Sequence, residues 1–528
     1  MTEQKIPPPD PRVVDAVRAE WPADAASLAD LDRLACARDC WPYTTIAALH
    51  GVLEHFPDAV LWASSTADVQ KALALARRLR VPLIPYGGGS GVCGGTTPIH
   101  GGIVLDMKRM ARVLEIDEVS LTVTAEAGIN GELLERAVAE HGCSIGHFPS
   151  SIYCSTLGGW LATRAAGQLS TRYGKIEDMV VSYRAVLPDG SVLETKAAPR
   201  SAVGPGIAQL LVGSEGTLCI ITEATLRIHP EPERRGFRAF QFGSVLAGTE
   251  AIRKTLRLGV FPAAVRLYDE LDTFIIGSGK GQAALSGESG PEDEPKPPSL
   301  LKAMMHHAQR FAIAHPRMAQ ALTPLLPKQC LLILTFEGAR EIVQAEEAVA
   351  ARACLAAGGE DLGPDPARLW WEHRYKVSYG LSAVFDGGAF ADTMEVATTW
   401  RRLMPLYDAV RAAIGGKAMV MAHFSHAYPD GCSIYFTFAA RAETAQESQA
   451  LYRAIWDAGM RATLAAGGTI SHHHGIGLSK AAWMKEEHGR GMAVLQAIKD
   501  VLDPDNMLNP GKLGLRPPGA PGTGSPRT

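Results

Sequence analysis

The segment VPLIPYGGGSGVCGG, residues 81–95, joins a short apolar stretch to a loop dominated by glycine. Consecutive glycines allow a tight turn and leave backbone N–H groups open to an anion. Two common phosphate-binding loops do not fit, because Gly-Lys-Ser/Thr is absent and because TTPIHGGIVLDM leads to another strand where a Rossmann turn has a helix. The segment predicts strand, turn and strand, with anion binding and a plain glycine-rich turn both open.

Composition argues against several classes of function. The chain has 528 residues, enough for two or three domains, and a net charge of −4 that gives no basic surface for nucleic acid. Its nine cysteines include no CxxC pair, which argues against a disulfide framework and a zinc ribbon. The N-terminal residues lack the apolar core of a signal peptide, and no apolar run is long enough for a membrane-spanning helix. We expect a cytoplasmic protein without a nucleic-acid partner.

Changes of pattern along the chain indicate its domains. The sequence predicts mixed helices and strands with many turns up to about residue 232. After that it predicts longer helices with a few strands, among them CLLILTFEG and CSIYFTFAA. The segment 279–299, rich in Gly, Pro, Ser and charge, is either a disordered insertion or a mobile cover over a site. The predicted division is a helical segment 1–55, a first domain 56–232, a second domain 233–465, a C-terminal segment 466–515 that completes the site, and a disordered tail 516–528.

Small hydroxyl side chains precede a second pair of glycines. In HFPSSIYCSTLGGWLATRAAG, Ser150, Ser151, Ser155 and Thr156 stand just before Gly158–Gly159. A third segment, GSEGTLCIITEATLRIHP (213–230), predicts a turn and then a strand. Hydroxyls and exposed amides at such junctions suit a long, polar, phosphate-containing cofactor.

The order of PYGGGSG, STLGGW, GSEGTLCIITEATL and DPDNMLNPGKL resembles the vanillyl-alcohol-oxidase/p-cresol-methylhydroxylase superfamily. The resemblance implies an α+β protein, a two-subdomain PCMH-type FAD-binding fold with an α+β cap (substrate) domain that the flavin faces. It also implies FAD with its pyrophosphate against the glycine loop. No histidine lies within 85–95, so we expect non-covalent FAD, with Cys93 as the other candidate for attachment. The cofactor contacts implied by motif are Pro85, Tyr86, Gly87, Gly88, Gly89, Ser90, Gly91, Ser150, Ser151, Ile152, Tyr153, Cys154, Ser155, Thr156, Thr163, Arg164, Ala165, Ala166, Glu215, Gly216, Thr217, Leu218, Cys219, Ile220 and Ile221.

Three adjacent histidines stand in SHHHGIG, residues 471–477. They make a poor metal site, because neither a helix nor a strand directs three consecutive side chains to one side, and no metal is expected. A polar loop with one histidine satisfied in the core remains an alternative. Beside a predicted flavin, an imidazole that titrates near neutrality also suits proton abstraction or hydride release.

The triplet also separates branches of the superfamily. D-2-hydroxy-acid dehydrogenases carry Glu-His-Gly where this chain has His473, His474 and Gly475, and Tyr435 stands where we would expect a second histidine of their HxGDGNxH segment. SHHHGIG together with IYF resembles the alkyldihydroxyacetonephosphate synthase family instead. That resemblance implies exchange of an acyl group for a fatty alcohol through a flavin N5 adduct, without net redox.

The residues implied to act at the substrate are Tyr435, His472, His473, His474 and Arg266. Arg266, in VRLYD, matches an arginine that the family keeps near the flavin. Two plainer alternatives remain open: Tyr435 as an aromatic in a sheet core, and Arg266 as a surface ion pair.

One position departs from the synthase pattern. Leu381 stands where the resemblance implies the arginine that binds the substrate phosphate, and Arg374 or Lys376 could substitute from upstream. The alternative function is therefore a FAD-dependent oxidase or dehydrogenase of a hydroxy acid or alcohol, with hydride transfer to the flavin. A catalytically silent flavin-binding protein is a third hypothesis. Expected partners are a small-molecule or lipid-like substrate and a second copy in a homodimer, with peripheral membrane contact left open.

Overall fold

The computed structural model describes residues 4–277, 313–318, 327–375, 384–385 and 388–518. The chain forms two compact units. Unit 1 comprises Met1–Ala166, Lys175–Glu231 and His473–Thr528, and unit 2 comprises Gly167–Gly174 and Pro232–His472. The predicted insertion 279–299, Lys376, Leu381 and most of the predicted tail lie outside the described residues.

Unit 1 contains two sheets and a short strand pair. The first sheet has the order β1-β2-β4-β3, the second has the order β5-β6-β10-β8-β9, and β7 pairs with β11. The strands are β1 Ala26–Ser27, β2 Ala59–Trp62, β3 Leu83–Tyr86, β4 Ile103–Asp106, β5 Val113–Asp117, β6 Thr122–Glu126, β7 Cys143–Ser144, β8 Val180–Val186, β9 Val192–Glu194, β10 Ile220–Arg227 and β11 His229–Pro230.

The predicted strand–turn–strand is confirmed. β3 ends at Tyr86, β4 begins at Ile103, and the two strands pair in parallel. Between Gly87 and Gly102, where every residue is described, the chain forms no helix. The glycine loop is therefore neither a P-loop nor a Rossmann turn.

The helices of unit 1 cover the sheets with apolar faces, as the helix from Thr66 shows. Ser65 caps it by accepting from the Asp68 amide, and Val69, Leu73 and Ala76 are buried in the core with β2, β3 and β4. The helices are Pro11–Glu20, Asp30–Ala35, Pro42–Leu49, Thr66–Leu79, Gly131–Ala139, Leu157–Thr163, Ile176–Met179, Ile207–Leu211, Met484–His488 and Gly491–Leu502, with a 3-10 turn at Ala481–Trp483.

Unit 2 is built on one seven-stranded sheet of order β15-β12-β14-β13-β17-β18-β16. All its pairs are antiparallel. The strands are β12 Arg234–Phe242, β13 Ala264–Tyr268, β14 Cys330–Gly338, β15 Glu360–Gly363, β16 Ala389–Thr399, β17 Met419–Ala427 and β18 Gly431–Arg441. The predicted strands CLLILTFEG and CSIYFTFAA are confirmed as β14 and within β18.

Helices cover one face of this sheet with aromatic and aliphatic contacts. Tyr407 packs on Phe424 and Phe436, and Trp456 packs on Phe438. Alternation along the strands places the residues between these aromatics on the opposite face. The helices of unit 2 are Ser170–Tyr173, Val245–Arg257, Glu270–Gly277, Arg340–Ala356, Asp365–His373, Trp400–Ile414 and Ala445–Ala465. Among the described residues, no helix combines the length and the apolar character that crossing a bilayer requires.

A buried histidine lies beneath the hydroxyl segment of unit 1. His147 is fully buried against the edge of Trp160, and neither ring nitrogen has a hydrogen-bond partner within the described part of the chain. Trp160 Nε1 donates to Ser155 Oγ at 2.8 Å, so the pair supports the segment before Gly158. Burial, with a smaller contribution from the charge of Lys175, lowers the pKa of His147 from 6.5 to about 3.

We predict that the buried His147 makes the folded protein less stable as pH falls. Between pH 6.5 and about 3 the unfolded chain binds a proton at this ring that the folded chain does not. The stability contributed by the neutral ring is therefore present above pH 6.5 and is lost as pH falls, by up to about 1.4 kcal/mol per pH unit. The melting temperature of His147→Leu should fall less steeply than that of the parent as pH is lowered from 6.5 to 4.5. Parallel curves for the two proteins would contradict a buried neutral histidine.

Candidate active site

The glycine turn after β3 packs directly on the hydroxyl segment of unit 1. A Cβ at Gly87 would lie 2.4 Å from Thr156 Oγ1, and one at Gly88 would lie 1.9 Å from the carbonyl oxygen of Cys154. Gly89 has φ +62°, and a Cβ there would lie 2.0 Å from Tyr86 Oη. Close approach requires glycine at the first two positions, and both close approach and φ require it at the third.

The amide groups of this turn are available to a ligand. The N–H groups of Gly87, Gly88, Gly89, Ser90 and Gly91 have no internal acceptor among the described residues. A row of unsatisfied backbone donors is what a diphosphate needs. This observation favours anion binding over a plain turn, and it fits the FAD that the motifs imply.

The hydroxyl segment leads into a capped helix. Thr156 is the N-cap of Leu157–Thr163, and its Oγ1 accepts from the Gly159 amide at 3.3 Å. Thr163 Oγ1 donates to the Gly159 carbonyl oxygen. Arg164 has φ 51°, and its guanidinium donates to the carbonyl oxygens of Val212 and Gln209. Of the remaining predicted contacts here, Ile152 and Ala166 are buried and Tyr153 is exposed.

The third predicted segment packs behind the glycine turn. A Cβ at Gly216 would lie 3.0 Å from Pro85 Cγ, which places the Glu215–Gly216 turn against the end of β3. Thr217 and residues 218–221, which lead into β10, are buried in unit 1. Three separate segments of the motif prediction therefore meet within this unit.

Glu215 connects this arrangement to the histidine segment. Its carboxylate accepts from the amides of Ile476 at 2.5 Å and Gly477 at 2.8 Å. Burial raises the pKa of Glu215 to about 7, against the lowering effect of the two amides and of Lys480 and Lys512. A Cβ at Gly477 would lie 2.2 Å from the Cys93 carbonyl oxygen, so the histidine segment also contacts the end of the glycine loop.

In unit 1, His473 and His474 come directly before this anchored turn in the chain. Their rings meet edge to face with centroids 4.5 Å apart, and both side chains are partly exposed. The buried thiol of Cys93 lies 3.6 Å from the Gly475 carbonyl oxygen. We retain the expectation of non-covalent FAD.

In unit 2, four side chains form one row across the sheet face opposite the packed helices. Strand register places Tyr268 beside His423, His423 beside Tyr435, and Tyr435 beside Glu395. The His423 and Tyr435 rings stack with centroids 4.7 Å apart. Burial raises the pKa of Tyr435 to about 12, so its hydroxyl stays protonated at neutral pH.

Arg266 joins this row from β13. Its Nη2 lies 2.7 Å from His423 Nε2, and because a guanidinium only donates, His423 Nε2 must accept. His423 Nδ1 faces Asp272 at 3.5 Å. Burial and Arg266 hold the pKa of His423 well below its ordinary value, so the ring is neutral. Arg266 therefore binds a neutral, buried histidine and does not form the surface ion pair that was the alternative.

His472, the first of the three histidines, lies in unit 2 and contacts two side chains there. Its Nε2 lies 3.0 Å from Tyr428 Oη, and its ring stacks on His426 at 5.1 Å. His426 has φ +53°, next to a break in strand register between Ser425 and Ala427. His426 Nδ1 lies 2.6 Å from Ser170 Oγ.

The structure thus brings together the predicted cofactor segments in unit 1, and Arg266 and Tyr435 in unit 2. The sequence motifs assigned no roles to His423, Glu395 or Asp272. Glu395 and His423 each alternate with apolar residues along a strand, a pattern typical of strands with one solvated face, so the pattern alone did not mark these two side chains as buried.

Family matches agree with this geometry. Residues 231–513 match the family described as FAD linked oxidases, C-terminal domain, and residues 57–196 match the FAD binding domain family. The first match covers more than half of the chain, so the chain belongs to the FAD-linked oxidase family. It is a flavoenzyme with FAD as its cofactor.

Individual relatives are more specific. The chain is 31% identical over 474 residues to alkyldihydroxyacetonephosphate synthase of Dictyostelium discoideum, covering 88% of this chain and 74% of that protein. A solved alkyldihydroxyacetonephosphate synthase superposes with a TM-score of 0.74 at 26% identity, covering 96% of this chain and 86% of the other. The glycolate oxidase subunit GlcD of Bacillus subtilis is 27% identical over 465 residues, covering 87% of this chain and 89% of that protein.

The PCMH-type fold is also confirmed. Substrate-bound p-cresol methylhydroxylase superposes with a TM-score of 0.71 at 16% identity, covering 96% of this chain and 97% of the other. At that identity the likeness concerns the fold alone.

We predict that Gly88→Ala abolishes FAD retention. The new methyl would collide with the Cys154 carbonyl at 1.9 Å and push the glycine turn off the hydroxyl segment. Acid-released FAD per chain should fall at least about tenfold, the equivalent of roughly 1.4 kcal/mol. Gly243→Ala, where a Cβ meets nothing within 4 Å, is the matched control. Full FAD content in Gly88→Ala would contradict the close approach.

Proposed function

We propose that this flavoenzyme carries out the reaction of the alkyldihydroxyacetonephosphate synthases. In that reaction the bond from a glycerone carbon to its acyl-ester oxygen breaks, and the acyl group leaves as a fatty acid. The oxygen of a fatty alcohol forms an ether bond to the same carbon, and the alcohol proton leaves with the acid. No net oxidation occurs, so no electron acceptor is consumed.

The observation that carries the proposal is the side chain at position 435. A hydroxy-acid dehydrogenase would be expected to have a histidine there, whereas this chain has a protonated tyrosine stacked on a neutral histidine. A phenol with a raised pKa orients an oxygen substituent by donating a hydrogen bond. Identity of 31% to a synthase supports the same assignment.

Bound FAD would supply an electrophilic ring that holds the glycerone carbon while its substituents exchange. In the proposal His473 or His474 takes the proton from that carbon and returns a proton to it once the ether bond has formed, and the contact with Tyr428 Oη orients His472. Arg266, fixed by His423, places positive charge at the reacting groups. A lipid-like substrate follows from the reaction type.

A second candidate is oxidation of a hydroxy acid or alcohol, with hydride passing to FAD and onward to an external electron acceptor. Two observations favour it: similarity to a glycolate oxidase subunit at 27% identity, and Leu381 where the synthase pattern implies a phosphate-binding arginine. Leucine cannot neutralise a phosphate dianion.

An anaerobic spectral titration separates the two candidates. With acyl-dihydroxyacetone phosphate and no electron acceptor, the FAD-loaded enzyme should lose its visible absorption, and a 2-hydroxy acid should leave the spectrum unchanged. Bleaching by the hydroxy acid alone, followed by recovery with oxygen or a dye, would establish the oxidoreductase instead. A colourless protein that binds no added FAD would contradict both candidates.

We predict that His473→Ala and His474→Ala retain FAD and lose turnover. Removing a positioned general base typically slows a reaction by about 10² to 10⁴-fold. His488→Ala, an exposed histidine on a separate helix, is the control and should keep parental turnover. Each variant is assayed for acid-released FAD and for alkyl exchange. Parental turnover in both loop variants would remove the proposed base.

A further inference from the structure

The histidine segment 471–477 contains no helix or strand, so contacts of its side chains and backbone fix its conformation. His472 contacts Tyr428 and His426, and further contacts hold the two ends of the segment. A segment without regular secondary structure samples many backbone states unless such contacts hold it. Catalysis requires reacting groups to stay within a fraction of an ångström of their working positions.

The first end is held within unit 2. Ser471 Oγ donates to Glu395 Oε1 at 2.7 Å, and the Thr469 amide donates to the Ala397 carbonyl oxygen at 2.9 Å. Glu395 is fully buried on β16, directly beside Tyr435 in the register. The residue before the triplet is thereby tied to the same strand pair that carries Tyr435.

The second end is held within unit 1. Both oxygens of Glu215 are engaged by consecutive amides, those of Ile476 and Gly477. Gly475 has φ +79°, and a Cβ there would lie 2.6 Å from Glu215 Oε1. Only glycine lets the backbone reach this carboxylate, which explains a glycine directly after the third histidine.

Further contacts fix Glu215 itself. Its carbonyl oxygen accepts from Asn509 Nδ2 at 2.7 Å, and the same nitrogen donates to the Gly95 carbonyl oxygen at 2.9 Å. Glu215 has φ 49°, a left-handed conformation that a non-glycine residue holds only when its surroundings enforce it. The carboxylate is therefore built into a rigid turn.

We propose that Glu395 and Glu215 are positioning residues that fix the two ends of the histidine segment so that its imidazoles keep their working orientation. Glutamine at position 215 would satisfy one amide and turn an NH₂ group toward the other, because an amide side chain has only one acceptor oxygen. This inference rests on the proposed function only for the catalytic role of the histidines; the contacts that hold the segment do not depend on it.

The test compares Glu215→Gln with Ser471→Ala, which removes the hydroxyl that donates to Glu395, in the full-length, FAD-loaded protein. The matched controls are Glu126→Gln in unit 1 and Glu337→Gln in unit 2, buried carboxylates bound to Arg112 and Arg235 respectively. Hydrogen exchange is followed on peptides spanning 470–480, together with acid-released FAD, kcat and KM.

We expect exchange within 470–480 to accelerate at least about tenfold in the two test variants, with kcat lower by about 10 to 100-fold and KM and FAD content near parental values. Both controls should leave exchange in this segment unchanged. Parental exchange within 470–480 in Glu215→Gln would overturn the proposal. So would faster exchange throughout unit 1 with loss of FAD, which would assign Glu215 to the fold or the cofactor.

Gly475→Ala provides a second route if a glutamine variant does not fold. The added methyl group would push against the Glu215 carboxylate without changing the residue at position 215. This variant should reproduce the local increase in exchange with FAD retained. Unchanged exchange in this variant would count against the proposal. The exchange readout needs no substrate, so an enzyme inactive toward acyl-dihydroxyacetone phosphate would disprove the proposed function and leave this inference to be decided separately.

Discussion

Close backbone approach at Gly87 and Gly88 is the constraint on which the cofactor site depends. Each α-carbon lies where even one methyl group would meet Thr156 or the Cys154 carbonyl. That packing bends the chain after β3 and leaves successive N–H groups without internal acceptors among the described residues. Gly87 to Ser90 are half-buried and Gly91 is exposed, so these amides can reach a ligand from outside the fold. The turn thus offers successive donors that a diphosphate could accept from.

The proposed substrate site depends on a different feature, the row of polar and aromatic side chains on one face of the unit 2 sheet. Burial, and after it the charge of Arg266, holds the pKa of His423 well below its ordinary value, so the ring is neutral and stacks on Tyr435 without adding a second buried charge. The cationic guanidinium is thus held in place by an acceptor that carries no charge of its own. The hydrogen bond to His423 holds the Arg266 guanidinium in place, and burial raises the pKa of Tyr435 to about 12, so its hydroxyl stays protonated at neutral pH.

Motifs could point to the glycine turn and the hydroxyl segment as candidate cofactor contacts because glycine and hydroxyl residues act locally. The turn after Tyr86 and the N-cap at Thr156 are each specified by a few consecutive residues. His423 and Glu395 could not be assigned in that way, because their neighbours come from strands far apart in the chain and only the register brings them together. Glu215 was predicted as a cofactor contact from its motif, and its carboxylate bonds to residues 476 and 477 were beyond any local pattern.

The central claim is that unit 1 holds FAD along the glycine turn and the hydroxyl segment. Amide hydrogen exchange on the protein with and without added FAD tests it directly. We expect strong protection on FAD binding in peptides covering 86–91, because the amides of Gly87 to Gly91 have no internal acceptor among the described residues until a diphosphate accepts from them. Protection in peptides covering 150–156 should be weaker, because the amides of Ile152, Cys154 and Ser155 already donate to backbone carbonyls. Protection confined to other parts of the chain, with 86–91 unchanged, would contradict this account of how the chain binds its cofactor.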